Sequence, residues 1–161
     1  MEDGEWRARV GGVGSACEHG DMNEPDPELL AAAQQVHLLA YCPYSHYRVG
    51  AAIRTASGAV VAGCNVENAA YPLGSCAEAG AIAAMVAAGE RTITEIVVVT
   101  DGEQPGTPCG GCRQRIREFA GPDVIVHSAA ASGIVWSTTV GELLPHSFGP
   151  EFLAPETTAS T

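Results

Sequence analysis

The chain has 161 residues, enough for one domain with a substantial buried core. Nineteen acidic residues stand against 8 arginines and no lysine, a formal charge of −11, so there is no basic stripe with which to grip a phosphate backbone. Nucleic acid is not an expected partner, and neither is a membrane, since no run approaches the ~18 consecutive apolar residues of a span.

A small uncharged ligand suits this balance better. The first residues, Met1-Glu2-Asp3-Gly4, lack the basic and then apolar blocks of a secretory signal, so the expected location is cytoplasmic. Cysteines at 17, 42, 64, 76, 109 and 112 therefore read as reduced thiols available to a metal rather than as a disulfide framework.

Residues 1–25 carry glycine and acidic residues with little periodic apolar character and read as a flexible extension. Cys17-Glu18-His19 within it has no further spaced ligands and reads as plain tail. Asp26-Pro27-Glu28 is a helix start: an N-cap, a proline at the first helical position and an acid in the first turn. Leu29, Ala32, Ala33, Val36 and Ala40 then recur at helical spacing to near Tyr41, with His37 at a surface or satisfied position.

From Tyr47 to Arg54 the pattern alternates, Ser57-Gly58 turns, and Val60 to Cys64 runs back as the second arm of a hairpin. Asn65-Val66-Glu67-Asn68 follows that strand, and Tyr71-Pro72-Leu73-Gly74 reads as loop. Ser75 is placed to cap an alanine-rich helix from Cys76 to Ala88, closed by Gly89. Ile93 to Thr100 is a β-branched run of the kind buried on both faces of a sheet. A polar loop leads to Pro108, which opens a helix through Phe119. Val124 to His127 and Ile134 to Ser137 read as strands, and Thr139-Val140-Gly141-Glu142 as a capping box. Strands alternating with helices imply an α/β fold, a three-layer αβα sandwich around a mixed sheet of about five strands. The domain is expected over residues 26–150, followed by a flexible tail over 151–161.

Two stretches carry chemistry. Cys109-x-x-Cys112 alone fits a redox dithiol, half a structural zinc site or two buried thiols. Cys76-Ala77-Glu78, 33 residues upstream and also at a helix start, adds a third thiol. Three thiolates occupy three corners of a zinc tetrahedron and leave the fourth open, the arrangement of a catalytic site. Glu78 has two readings: with Ser75 it fits a capping box, and beside a metal it can shuttle protons. A ligand, Glu two residues on, then Pro-Cys-x-x-Cys is the signature of zinc deaminases, with the Glu as general acid and base.

Here the chain resembles the small homotetrameric cytidine deaminases. The matching text is Tyr41-Cys42-Pro43-Tyr44-Ser45-His46-Tyr47-Arg48-Val49-Gly50-Ala51-Ala52 and Gly63-Cys64-Asn65-Val66-Glu67-Asn68-Ala69-Ala70-Tyr71-Pro72. Cys76-Ala77-Glu78, Pro108-Cys109-Gly110-Gly111-Cys112-Arg113-Gln114 and Glu142-Leu143-Leu144-Pro145-His146-Ser147-Phe148 complete it. The resemblance implies one zinc per subunit held by Cys76, Cys109 and Cys112, with Glu78 catalytic. It implies hydrolytic deamination of cytidine and deoxycytidine. Asn65 and Glu67 would hold the ribose hydroxyls, Tyr47 and Tyr71 would lie against the nucleoside, and the Ala77 N–H would bind the base carbonyl. Phe148 would stack over the base in a neighbouring subunit's site, from a tail expected to be mobile in a monomer. Many relatives place arginine after Cys-Ala-Glu where this chain has Ala79; two helix N-termini, or donors from Gln114, Arg113 or Arg115 to the sulfurs, would offset the thiolate charge instead.

Two other readings stand beside this one. A deaminase of an aminonucleoside such as blasticidin S shares the zinc motifs, although Asn65-Val66-Glu67-Asn68 favours a plain ribose or deoxyribose. A noncatalytic zinc-stabilised binding module is the reading from a different class.

Overall fold

A computed structural model of the protein describes residues 24–153. The expected extension over 1–25, with Cys17-Glu18-His19, and the expected tail over 151–161 fall outside the described residues, except for 24–25 and 151–153.

Asp26 starts the first helix as its type and position predict. Its Oδ1 accepts hydrogen bonds from the N–H groups of Glu28 (2.9 Å) and Leu29 (3.2 Å), and α1 spans Pro27–His37. The helix stops short of Tyr41 because Tyr41 is drawn into a bridge with Val66. The Tyr41 N–H donates to the Asn65 carbonyl at 3.0 Å, and its own carbonyl accepts from the Glu67 N–H at 2.8 Å. His37, the last residue of α1, is buried with Nε2 3.1 Å from Asp101 Oδ1, an approach whose alignment falls short of a hydrogen bond.

Among the described residues five strands follow: β1 (Val49–Thr55), β2 (Val60–Cys64), β3 (Ile93–Thr100), β4 (Ile125–Ala130) and β5 (Val135–Thr139). Their order is β2-β1-β3-β4-β5, and only β3 and β4 run parallel. Gly58, at a φ of 87°, makes the hairpin turn between β1 and β2. The remaining helices are α2 (Ala77–Ala87), α3 (Gly110–Phe119) and α4 (Val140–Leu143). The capping box expected at α4 forms, with Thr139 accepting from the Glu142 N–H and Glu142 from the Thr139 N–H.

The β-branched run of β3 divides between two cores by its period of two. Ile96 and Val98 pack with Ala77, Ala81, Met85 and Ile116 beneath α2 and α3. Val97 and Val99 pack with Leu29, Ala33 and Ala52 beneath α1. Each such side chain contributes about 1.5–3 kcal/mol through burial, and this double burial makes the sandwich three-layered. Two glycines let the helices lie directly on the sheet. A Cβ at Gly50 would stand 2.2 Å from the Ala33 carbonyl of α1, and one at Gly63 would stand 2.4 Å from the Ala81 nitrogen of α2.

Several boundaries differ from expectation: β1, β4 and β5 are shifted or lengthened by one to three residues, and the starts of α2 and α3 move as well. Cys76, not Ser75, is the N-cap of α2, and α3 begins at Gly110, with Pro108 left as a buried residue before it. The chain after Pro145 is not shapeless: a 3-10 turn over Pro150–Phe152 crosses the boundary expected at 150. Arg117 of α3 ties that segment down by donating to Ser147 Oγ (3.0 Å) and pairing with Glu151.

Candidate functional site

Cys76 and Cys109 occupy the same position on two helices, each an extended N-cap whose side chain makes no capping hydrogen bond. Sulfur is a poor cap, so both thiols turn outward from the helix starts and meet. Their sulfurs lie 3.9 Å apart, and the sulfurs of Cys76, Cys109 and Cys112 all lie within 4.8 Å of one another. A tetrahedral zinc with Zn–S of about 2.3 Å holds its sulfurs about 3.8 Å apart, close to the Cys76–Cys109 separation, so the cluster is of a size to hold one zinc. Soft thiolates are also the donors that zinc accepts in preference to harder cations.

Burial pushes the Cys112 and Cys76 thiols up, with the Glu78 carboxylate adding to the effect. The Cys109 thiol is held below its ordinary value, chiefly by the backbone N–H of Cys112. The N-termini of α2 and α3 each bring about half a positive charge to the cluster, which favours thiolates there.

The capping-box reading of Glu78 fails, because the helix it would close begins one residue later than that motif requires. Glu78 is instead 4% exposed, in the first turn of α2, close enough to the sulfurs for its charge to bear on Cys76 and Cys112. Ala77, at the same helix start, is fully buried. Both line a cavity of about 380 Å³ together with Cys76, Cys109, Tyr47, Asn65, Glu67 and Tyr71.

The far end of that cavity is a stitched segment. The Asn65 side chain accepts from the Val49 N–H (2.8 Å) and donates to the Tyr47 carbonyl (2.9 Å), which fixes the start of β1. Glu67 Oε2 accepts from the N–H groups of Tyr44 (2.9 Å) and Ser45 (3.2 Å). Hydrogen bonds from the Ser45 hydroxyl and these N–H groups hold the Glu67 carboxyl below the usual carboxylate range. Val66, between them, exchanges two 2.9 Å backbone bonds with Ser75, the residue before Cys76. The segment of Asn65 and Glu67 is thereby joined to the thiol segment by a direct ladder.

Three expected contributors stand elsewhere. Gln114 Nε2 donates to the Phe148 carbonyl at 2.8 Å rather than to a sulfur. Arg113 donates to the carbonyls of Pro108 (2.7 Å) and Leu143 (3.0 Å) and to Thr107 Oγ1 (3.1 Å), so it braces the loop carrying Cys109 from behind. Phe148 lines no part of the cavity in its own chain. It is 57% exposed and stacks on Phe152 with ring centroids 5.3 Å apart.

Sequence reasoning missed Val98, Thr100 and Gly106, which complete the wall. Thr100 Oγ1 accepts from the Gly106 N–H at 2.9 Å and so folds the loop after β3 against the cavity. A usable signal existed: ligand sites in α/β sheets gather at the carboxyl ends of strands, and Thr100 ends one. Asp101 follows, accepting from the Arg48 N–H (2.9 Å), Nε (3.1 Å) and Nη2 (3.2 Å), which locks that loop to the strand start beside Tyr47.

Comparison with known proteins places this geometry. Residues 23–128 match the family model described as the cytidine and deoxycytidylate deaminase zinc-binding region. A cytidine deaminase of Sporosarcina psychrophila is 40% identical over 127 residues, covering 79% of this chain and 93% of that one. One from Halalkalibacterium halodurans is 41% identical over 123 residues, covering 76% and 93%. The crystal structure of cytidine deaminase from Burkholderia pseudomallei superposes with a TM-score of 0.73 at 42% identity, covering 78% of this chain and all of that one.

Proposed function

The chain belongs to the cytidine and deoxycytidylate deaminase zinc-binding family, and from that premise we propose that it hydrolyses cytidine and deoxycytidine to uridine and deoxyuridine with release of ammonia. One observation carries the reading: three thiols fitted to one zinc beside a buried carboxylate, at one end of a cavity large enough for a nucleoside. The blasticidin-type and noncatalytic readings gain nothing from the family match.

Cys76, Cys109 and Cys112 would hold the zinc, which when bound supplies a Lewis acid that activates water near neutral pH. Glu78 then moves protons from the attacking water to the base. One proton of the water goes to N3 of the base and the other to the departing amine. The water oxygen ends on C4 as a carbonyl, the C4–N bond breaks, and ammonia leaves. Burial of Glu78 keeps bulk water from competing for those protons.

The Ala77 N–H, at the positive end of α2, donates to the base carbonyl. Tyr47 and Tyr71 wall the nucleoside, and Asn65 and Glu67 take the sugar hydroxyls from a position already fixed by their own backbone bonds. Pre-positioned groups of this kind reject substrates lacking the hydroxyl they hold, so turnover of both nucleosides requires that hydroxyl to be the 3′ one, which cytidine and deoxycytidine share.

The exposed Phe148 supports a shared site, in which it covers the base bound by a neighbouring subunit of a homotetramer. Pyrimidine salvage in the cytoplasm is the setting that such a reaction serves. Among the described residues no helix is long and apolar enough to cross a membrane.

The test is ultraviolet absorbance on zinc-loaded protein with cytidine and with deoxycytidine. Conversion of both to the uracil product is the expected result, and absence of turnover with either refutes the reading. A solution mass of four chains, with activity lost in Phe148→Ala, is expected of the shared site; a monomer with full activity contradicts it.

A further inference from the structure

The period of two along β1 and β3 gives their neighbouring ends two duties. Tyr47, Val49, Val98 and Thr100 face the cavity. Arg48, Gly50 and Asp101 alternate with them and turn to the opposite face, where α1 lies. A Cβ at Gly50 would stand 2.6 Å from the His37 nitrogen, so the last turn of α1 rests directly on that face. There His37 Nε2 comes within 3.1 Å of Asp101 Oδ1, while Asp101 accepts from the Arg48 N–H, Nε and Nη2. The Asp101 N–H returns a 3.1 Å bond to the Arg48 carbonyl. This cluster is the reverse side of the cavity wall, and no step of the deamination uses it.

We propose that His37 is a proton-responsive positioning residue for the deaminase site, whose cationic form clamps Asp101 and so sets the wall made by Tyr47, Thr100 and Gly106. The inference rests on the nucleoside reading of the cavity. Histidine is the side chain that changes charge near neutral pH. Charged, the His37 ring pairs with the Asp101 carboxylate and with the negative end of α1, in whose last turn it stands. Nε2 is buried out of line for a hydrogen bond, so its closeness to Asp101 counts mainly when the ring carries charge. Burial works to raise the Asp101 carboxyl, but hydrogen bonds from Arg48 outweigh it and hold the group below the usual carboxylate range. Asp101 is therefore ionised whenever His37 is charged near neutral pH.

The other groups around this turn are few. Arg48 shares Asp101 and opposes the His37 charge, and the Cys42 thiol stands near Arg48. Cys64, the cross-strand partner of Gly50, lies on the α1 face of β2. Arg54, Glu95 and His127 gather with Asp26 at the opposite end of the helix. The link to the cavity is short. Asp101 follows Thr100, whose Oγ1 holds the Gly106 N–H, and a Cβ on Gly106 would stand 2.8 Å from the Tyr47 hydroxyl.

The test is the pH dependence of kcat and KM for cytidine on the zinc-loaded full chain, between about pH 6 and about pH 8.5. KM is expected to rise about fivefold across that range as His37 loses its proton. His37→Gln, neutral throughout, is expected to show the high KM at both ends, with kcat following the wild-type profile. His37→Lys, cationic throughout, is expected to restore the low KM at both ends. Should His37→Lys not fold, the comparison with His37→Gln decides alone. A KM that is flat in the wild type, rises equally in His37→Gln, or stays high in a folded His37→Lys overturns the proposal and leaves the nucleoside reading standing. If cytidine is not deaminated at any pH, the nucleoside reading fails and this inference falls with it.

Discussion

The two ends of the cavity are built on opposite principles. At the metal end, three sulfurs and a buried carboxylate converge on one point, and burial raises two of the three thiols. That end is completed by something from outside the chain. At the other end, the one proposed to take the sugar, Asn65 and Glu67 already hold backbone groups of Tyr44, Ser45, Tyr47 and Val49, so the polar groups are positioned before any ligand arrives. The contrast teaches that the ends should fail differently: the first by losing chemistry, the second by losing order and binding together.

Stripping the zinc with a chelator is the most severe way to break the comparison. Turnover is expected to vanish and the thermal midpoint to fall, with both restored by added zinc, because the ion supplies binding energy to the fold as well as chemistry. The sugar end is broken by Asn65→Ala. It leaves the Val49 N–H and the Tyr47 carbonyl without their partner, a loss of about 1–3 kcal/mol by denaturant unfolding. KM for cytidine should rise in the same variant while zinc stoichiometry stays at one per chain. A stable variant with unchanged KM would mean that Asn65 serves neither strand nor sugar.

The smallest expected effect sharpens the electrostatics of the metal end. Gln114 and Arg113 give their donors to Phe148, Pro108, Leu143 and Thr107, so of the expected sources the starts of α2 and α3, with Arg115, remain to offset the thiolate charge. Ala79→Arg should therefore change kcat by no more than about threefold, since a helix terminus contributes only ~0.3–1 kcal/mol per charge. If zinc-loaded wild-type enzyme is inactive and Ala79→Arg restores turnover, the helix termini do not suffice.

What the sequence made legible follows from locality. β2 and β3 have the bounds their patterns indicate, because hairpin chemistry and a β-branched run are written in consecutive residues. The three thiols were legible because each lies at a helix start marked by its neighbours. Long-range contacts were not. α1 ends at His37 because Asn65 and Glu67 claim Tyr41, a contact across 24 or more positions that no window of α1 contains. The docked segment after Pro145 depends on Gln114 and Arg117, whose partners lie 30 to 34 positions further along the chain. The same limit hid Thr100 and Gly106, whose hydrogen bond matters only once Cys76 and Cys109 stand opposite.

The central claim is that Glu78 moves protons and does not hold the metal. Glu78→Gln keeps the size of the side chain and removes its capacity to carry a proton. Zinc content and cytidine turnover measured on the same preparation test it most directly. One zinc per chain with kcat lowered by about 10²–10⁴-fold is the predicted result. Loss of the zinc together with the activity would contradict it and make Glu78 part of the metal's own coordination.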